Sequence, residues 1–180
     1  IKIYESLAVG ATGFLGYGQL AAETVVVGLI ADDEVVNEVT EGLDDAFISV
    51  HLCHAHFDRR HSTKGSYELI IEALGHMNVN RFAIELATPD AGGLDALKNF
   101  PSDKILGLGC IDHTNKNVET PELVIQRVET AMQYVPADRI TLNPDCGFAP
   151  SSANPMDLDE AYLKLSAMCQ ASRILQSRFS

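Results

Sequence analysis

A chain of 180 residues, 46% hydrophobic and 21% charged, is long enough for one domain with a sizeable core. No apolar run approaches the ~20 residues that span a bilayer, and the N-terminus shows no basic stretch leading into an apolar one and a cleavage site. A net charge of −12 argues against nucleic-acid backbones and anionic membranes as partners, and the expected location is cytoplasmic.

In chain order, residues 1–31 carry few signals of their own. Gly10, Gly13 and Gly16 are spaced like a dinucleotide-binding turn, where a pyrophosphate approaches a helix N-terminus. The IKIYESLAV before them is a mediocre strand, and no acidic residue closes a second strand at the expected spacing. A plain glycine-rich loop is the preferred reading. Residues 32–43 (DDEVVNEVTEGL) read as a helix. AFISVHLC then reads as a strand, SYELIIEALGHM as an amphipathic helix with Leu69, Ile70, Ala73 and Leu74 on one face, and RFAIEL as a strand. LDALKNF reads as a short helix and KILGLGCI as a third strand. PELVIQRVETAMQYV is a helix with Thr120 as cap and Pro121 just inside it. RITLN is the fourth strand, and a long closing helix follows with Asp157 as its cap. Alternating strands and helices on short loops predict a parallel α/β sheet with right-handed crossovers. Four such units make half of a (β/α)8 TIM barrel, whose whole needs about 250 residues.

Chemistry gathers where strands end. His51 and Cys53 close the first of these strands, Glu85 lies on the second, and Cys146 follows the fourth. Carboxyl ends of parallel strands meet on one rim, and residues i and i+2 of a strand point the same way, so His51 and Cys53 form a pincer. One imidazole, two thiolates and one carboxylate make a ligand set for zinc, which prefers nitrogen and sulfur donors in tetrahedral array. The alternative on spacing alone is buried strand residues and an idle thiol. Cys110 in an apolar strand and Cys169 in a helix read as small core residues, and a reducing compartment fits better than a disulfide scaffold.

The wording around these residues resembles the catalytic barrel of the cobalamin-independent methionine synthase family. The matching pieces are HLC (51–53), GSYELIIEAL (65–74), RFAIELA (81–87), ILGLGCIDH (105–113) and NPDCGF (143–148). The likeness runs roughly from residue 32 to 178, so residues 32–180 are expected to be the C-terminal half of such a barrel. HAHFDRRHS after Cys53 looks more like the compact single-barrel relatives than the long enzymes. The resemblance implies zinc on His51, Cys53, Glu85 and Cys146, and a methyltransferase that activates a homocysteine-like thiol for attack on a folate-borne methyl group. It also implies that His113, with Asp112, helps deliver a proton to the departing nitrogen, and that Asp145 orients a bound ligand.

Other residues keep two readings. His113 is an acid or a surface histidine, and Glu85 is a ligand or a buried carboxylate paired with Arg81 or a histidine. His54, His56 and His61 are extra ligands or acids, or, as is commoner, exposed loop histidines. Arg59 and Arg60 hold a substrate anion or cap a solvated loop tip, the latter slightly favoured. The expected partners are a small-molecule thiol and a methyl donor. A half-barrel with open edges is also expected to pair with another copy or with the missing half. Two other functions fit the residues: alkyl transfer to a different thiol such as coenzyme M, and a non-catalytic zinc-binding half-barrel.

Overall fold

The computed structural model describes residues 24–28, 33–148 and 156–179. Five parallel strands form one sheet in the order β1 (Thr24–Gly28), β2 (Phe47–Leu52), β5 (Arg81–Ile84), β6 (Ile105–Ile111) and β7 (Ile140–Pro144). The described residues also form a two-residue-per-strand hairpin, β3 (His56–Phe57) with β4 (Arg60–His61), and three α-helices, the last of which follows β7. These are α1 (Asp33–Val39), α2 (Pro121–Ala131) and α3 (Leu158–Phe179). Spatial order follows chain order, so each crossover places a strand beside its predecessor. The apolar runs give the reason for a two-faced burial: β6 is buried at every position after Ile105.

Four of the five strands match the sequence reading. The fifth, β1, lies in the segment left unassigned and pairs in parallel with β2, Gly28 opposite His51. The glycines at 10, 13 and 16 fall outside the described residues.

The segment SYELIIEALGHM is not a continuous α-helix. It forms two 3-10 turns, Tyr67–Leu69 and Ala73–His76. Its buried face is Tyr67, Ile71, Leu74 and Met77, while Leu69 stands in solvent at 94% exposure. The helical period was correct and the face was one step off. Tyr67 fixes the first turn, because its hydroxyl donates to the Leu52 carbonyl at the end of β2. LDALKNF is likewise a 3-10 helix, Leu94–Asn99; Phe100 turns extended (φ −61°, ψ 131°) because the following Pro101 disfavours helix at that residue.

The other helices are capped as expected. The Thr120 side chain accepts from Leu123 N, with Pro121 in the first turn, and an Asp157 carboxylate oxygen accepts from Asp159 N. The face Val124, Ile125, Val128 and Ala131 of α2 is buried in the core. No helix among the described residues is long and apolar enough to cross a membrane.

Candidate metal centre

Strand register sets the rim. Leu52 pairs with Ile84, Ile84 with Leu108, and Leu108 with Leu142, so the residues just beyond these positions share one end of the sheet. Between β6 and β7 the register slips at Gly109–Ile111, which places Pro144 opposite Ile111 and brings Asp145 N onto the Ile111 carbonyl at 2.9 Å. Such a bulge re-aims the following residues, here Asp145 and Cys146. Gly109 permits the crowding: a Cβ there would strike the Asp145 carboxylate, the Ile84 carbonyl and the Glu85 Cα.

His51, Cys53, Glu85 and Cys146 converge, with ligand atoms all within 4.8 Å of one another. Two details fit a tetrahedral metal. The sulfurs of Cys53 and Cys146 lie 3.9 Å apart; two thiolates bound at about 2.3 Å to one zinc span about 3.8 Å. His51 donates from Nδ1 to the Ala83 carbonyl at 3.0 Å, and its buried Nε2 has no partner. That is the tautomer a metal-bound imidazole needs.

The electrostatics follow from packing thiols and a carboxylate together out of water. The Cys53 thiol is pushed up to about 12, by its hydrogen bond to Cys146 and then by burial, while Cys146 is lowered by receiving that bond. Burial would raise Glu85, but His54 and His56 hold it below the usual carboxylate range. Its Oε2 accepts from His54 N and Nδ1, both at 2.8 Å, and its Oε1 from His56 Nε2 at 2.5 Å. Glu85 raises His54 in return, against burial; burial also opposes His51 and His56, yet Cys53 and Glu85 lift both, His56 to about 9.

Asp145 is fully buried. Its Oδ1 accepts from Leu86 N and Ala87 N, both at 2.9 Å, fixing the chain just after Glu85, and Oδ2 has no hydrogen-bond partner. Burial pushes this carboxyl up to about 7 against those two bonds. His113 is also fully buried, with Nε2 2.9 Å from His56 Nδ1. Burial and the His56 charge press it down to about 3, so it is a neutral imidazole. Asp112 does not face the cluster with its carboxylate: Oδ1 accepts from Thr114 N, Thr114 Oγ1 and Asn115 N and shapes the loop that carries His113.

The histidine-rich segment is not an exposed loop. His54 is buried, and the side chains of His56 and His61 are 2% and 1% exposed. Arg59, read as a solvated tip, is buried and paired through both terminal nitrogens with Glu160 on α3, at 3.0 and 2.6 Å. Arg60 is exposed. The density of histidines in HAHFDRRH was the available signal; their burial depends on the β3–β4 hairpin, which turns through left-handed Ala55, Asp58 and Arg59. All four cysteines are free, Cys110 buried and Cys169 half-buried.

Residues 33–173 match the family model described as the catalytic domain of cobalamin-independent synthase. The chain is 28% identical over 143 residues to a methionine synthase of Saccharolobus solfataricus and 29% to one of Thermococcus kodakarensis. In both cases 79% of this chain is covered, and it spans only 38% of the relative's length. The fold is similar to a B12-independent methionine synthase from Shewanella sp. W3-18-1 solved with selenomethionine, with TM-score 0.73 and 18% identity over 87% of this chain and 49% of that one. A second likeness, TM-score 0.54 and 21% identity, is to a vitamin-B12-independent methionine synthase described as putative, from Listeria monocytogenes. With the match covering most of its length, this chain belongs to the family of cobalamin-independent synthase catalytic domains.

Proposed function

We propose that this chain is the C-terminal half of a (β/α)8 catalytic barrel that transfers a methyl group to a homocysteine-like thiol, with zinc held by His51, Cys53, Glu85 and Cys146. The observation that carries the reading is the convergence of those four ligand atoms, with His51 Nε2 buried and unpartnered among them. Zinc bound there supplies a Lewis-acidic centre that takes a substrate sulfur as its thiolate at neutral pH.

The chain's own residues divide the remaining work. The Ala83 carbonyl orients His51, and Asp145 fixes the backbone after Glu85 while offering Oδ2 to a substrate N–H. Glu85 is the hardest donor of the four and would be the one that an incoming sulfur replaces most readily. His54 and His56 bond its carboxylate and would hold it in place whether or not it is a ligand. As the methyl group passes to sulfur, the departing nitrogen takes a proton. His113 would relay it, its Nε2 taking the proton of His56 Nδ1 as its own Nδ1 gives one up so that the ring stays neutral, and Asp112 sets the loop that presents His113.

Adding homocysteine to the zinc-loaded protein is expected to release close to one proton per site near neutral pH. X-ray absorption at zinc should gain a sulfur neighbour at about 2.3 Å. Thiol addition that changes neither would make the zinc structural and end the methyltransferase reading. A requirement for methyl-folate separates this reaction from alkylation of another thiol.

The strands β1 and β7 stand at the two edges of the sheet. We propose that they take a second copy or a further barrel half, since unpaired parallel edges invite pairing. Light scattering on the 19.5 kDa chain is expected to show association; a stable monomer at high concentration would contradict it.

A further inference from the structure

We propose that His56, His61 and His113 form a second site, for a divalent transition-metal ion of the class that takes imidazole ligands, beside the thiolate-bearing one. One ligand atom from each residue lies within 4.8 Å of the others. All three rings are buried, and the proposal stands on how their nitrogens are partnered.

His56 directs Nε2 to Glu85 at 2.5 Å, which leaves Nδ1 on the opposite edge of the ring facing His113 Nε2 at 2.9 Å. Two nitrogens bound at about 2.05 Å to one ion and set at a right angle lie about 2.9 Å apart. An ion there takes the place of the proton that His56 Nδ1 shares with His113 Nε2. His61 lies against both: its ring centroid is 4.8 Å from that of His56 and 5.9 Å from that of His113. Neither nitrogen of His61 has a hydrogen-bond partner although both are buried. Leaving such atoms unmade is costly in a protein interior. Its Nδ1 lies 3.6 Å from the Asp90 carboxylate, too long for a hydrogen bond but placed to back the ring, so that Nε2 is the ligating atom.

Asp90 stands 3.6 Å from His61 Nδ1, and His56 bonds a carboxylate, Glu85, through the nitrogen that does not ligate. That arrangement fixes tautomer and ring orientation in histidine metal sites. The donor set is all nitrogen and uncharged, which suits zinc, cobalt or nickel over calcium or magnesium. Glu85 would join the two sites, a ligand in one and the support of a ligand in the other.

The test uses metal-stripped full-length chain titrated with cobalt(II) under reducing conditions. The thiolate site announces itself by sulfur-to-cobalt charge-transfer absorption, and an all-nitrogen site does not. Two cobalt ions per chain are expected, only one of them adding charge-transfer intensity. His61→Phe keeps the ring volume and should bind one cobalt with the charge-transfer band intact. The Cys53→Ser, Cys146→Ser double variant should bind one cobalt without it. A single equivalent in the wild-type chain, two equivalents retained in the His61→Phe variant, or no cobalt in the double cysteine variant would overturn the proposal. Because the charge-transfer band reports the thiolate site alone, loss of that band counts against the thiol-activating reading and not against the second ion.

Discussion

Replacing Cys146 by serine is expected to lower zinc affinity by about 100-fold or more, since changes to groups merely supporting ligands already cost about 10- to 100-fold. The substitution removes the sulfur whose thiol the hydrogen bond from Cys53 makes more acidic and puts a harder, shorter donor in its place. It also deprives Cys53 of the partner 3.9 Å away. Cys169→Ser, on the far helix, should leave zinc stoichiometry at the wild-type value, and Cys110→Ser should alter stability without altering it. Cys110 is fully buried and its sulfur faces the Asn143 carbonyl at 3.5 Å, apart from the ligand cluster. Metal analysis after dialysis against a graded chelator reads all three. Zinc retention by the Cys146 variant at wild-type chelator concentrations would remove the thiolate from the site.

Lys164→Ala is expected to cost about 3–5 kcal/mol of stability, the range for breaking a buried ion pair from one side. Lys164 is fully buried in α3 and gives all its donors to three acceptors. These are the Asp112 carbonyl at 2.9 Å, the Asn117 carbonyl at 2.6 Å and Glu119 Oε2 at 3.0 Å. Without the ammonium, Glu119 keeps the Asp112 N–H at 2.7 Å and Arg127 at 3.4 Å as partners of Oε1, its Oε2 loses its donor, and so do two carbonyls. Urea unfolding measures the loss; a change below about 1 kcal/mol would place the pair among weak surface contacts. A Lys164→Met, Glu119→Gln double variant should lose less than Lys164→Ala, because no charge is then left buried alone.

The convergence of His51, Cys53, Glu85 and Cys146 was legible because parallel strands write themselves as apolar runs, and a polar residue closing such a run has nowhere to point but the rim. His51, Cys53 and Glu85 all interrupt or end runs of that kind. The hairpin after Cys53 was not legible. Its left-handed residues are alanine, aspartate and arginine, where sequence cues would look for glycine. The burial of His54, His56 and His61 rests on that turn. Lys164 was illegible for another reason: helical spacing marks which face is inward, but its acceptors stand 45 to 52 residues away along the chain. The strand β1 was missed because a five-residue apolar stretch cannot be told from other short buried segments without its neighbours.

Two residues one turn apart on α3, Glu160 and Lys164, tie down the hairpin through Arg59 and the His113 loop through Asp112 and Asn117. The Arg59–Glu160 contact closes 101 residues of chain, and Cys53 meets Cys146 across 93. Contacts of such long sequence separation form late, after local turns and neighbouring strands have paid their ordering entropy. On a ribosome, Arg59 and the His113 loop emerge before the helix that clamps them, so the finished geometry of the hairpin and of that loop waits for α3 to dock.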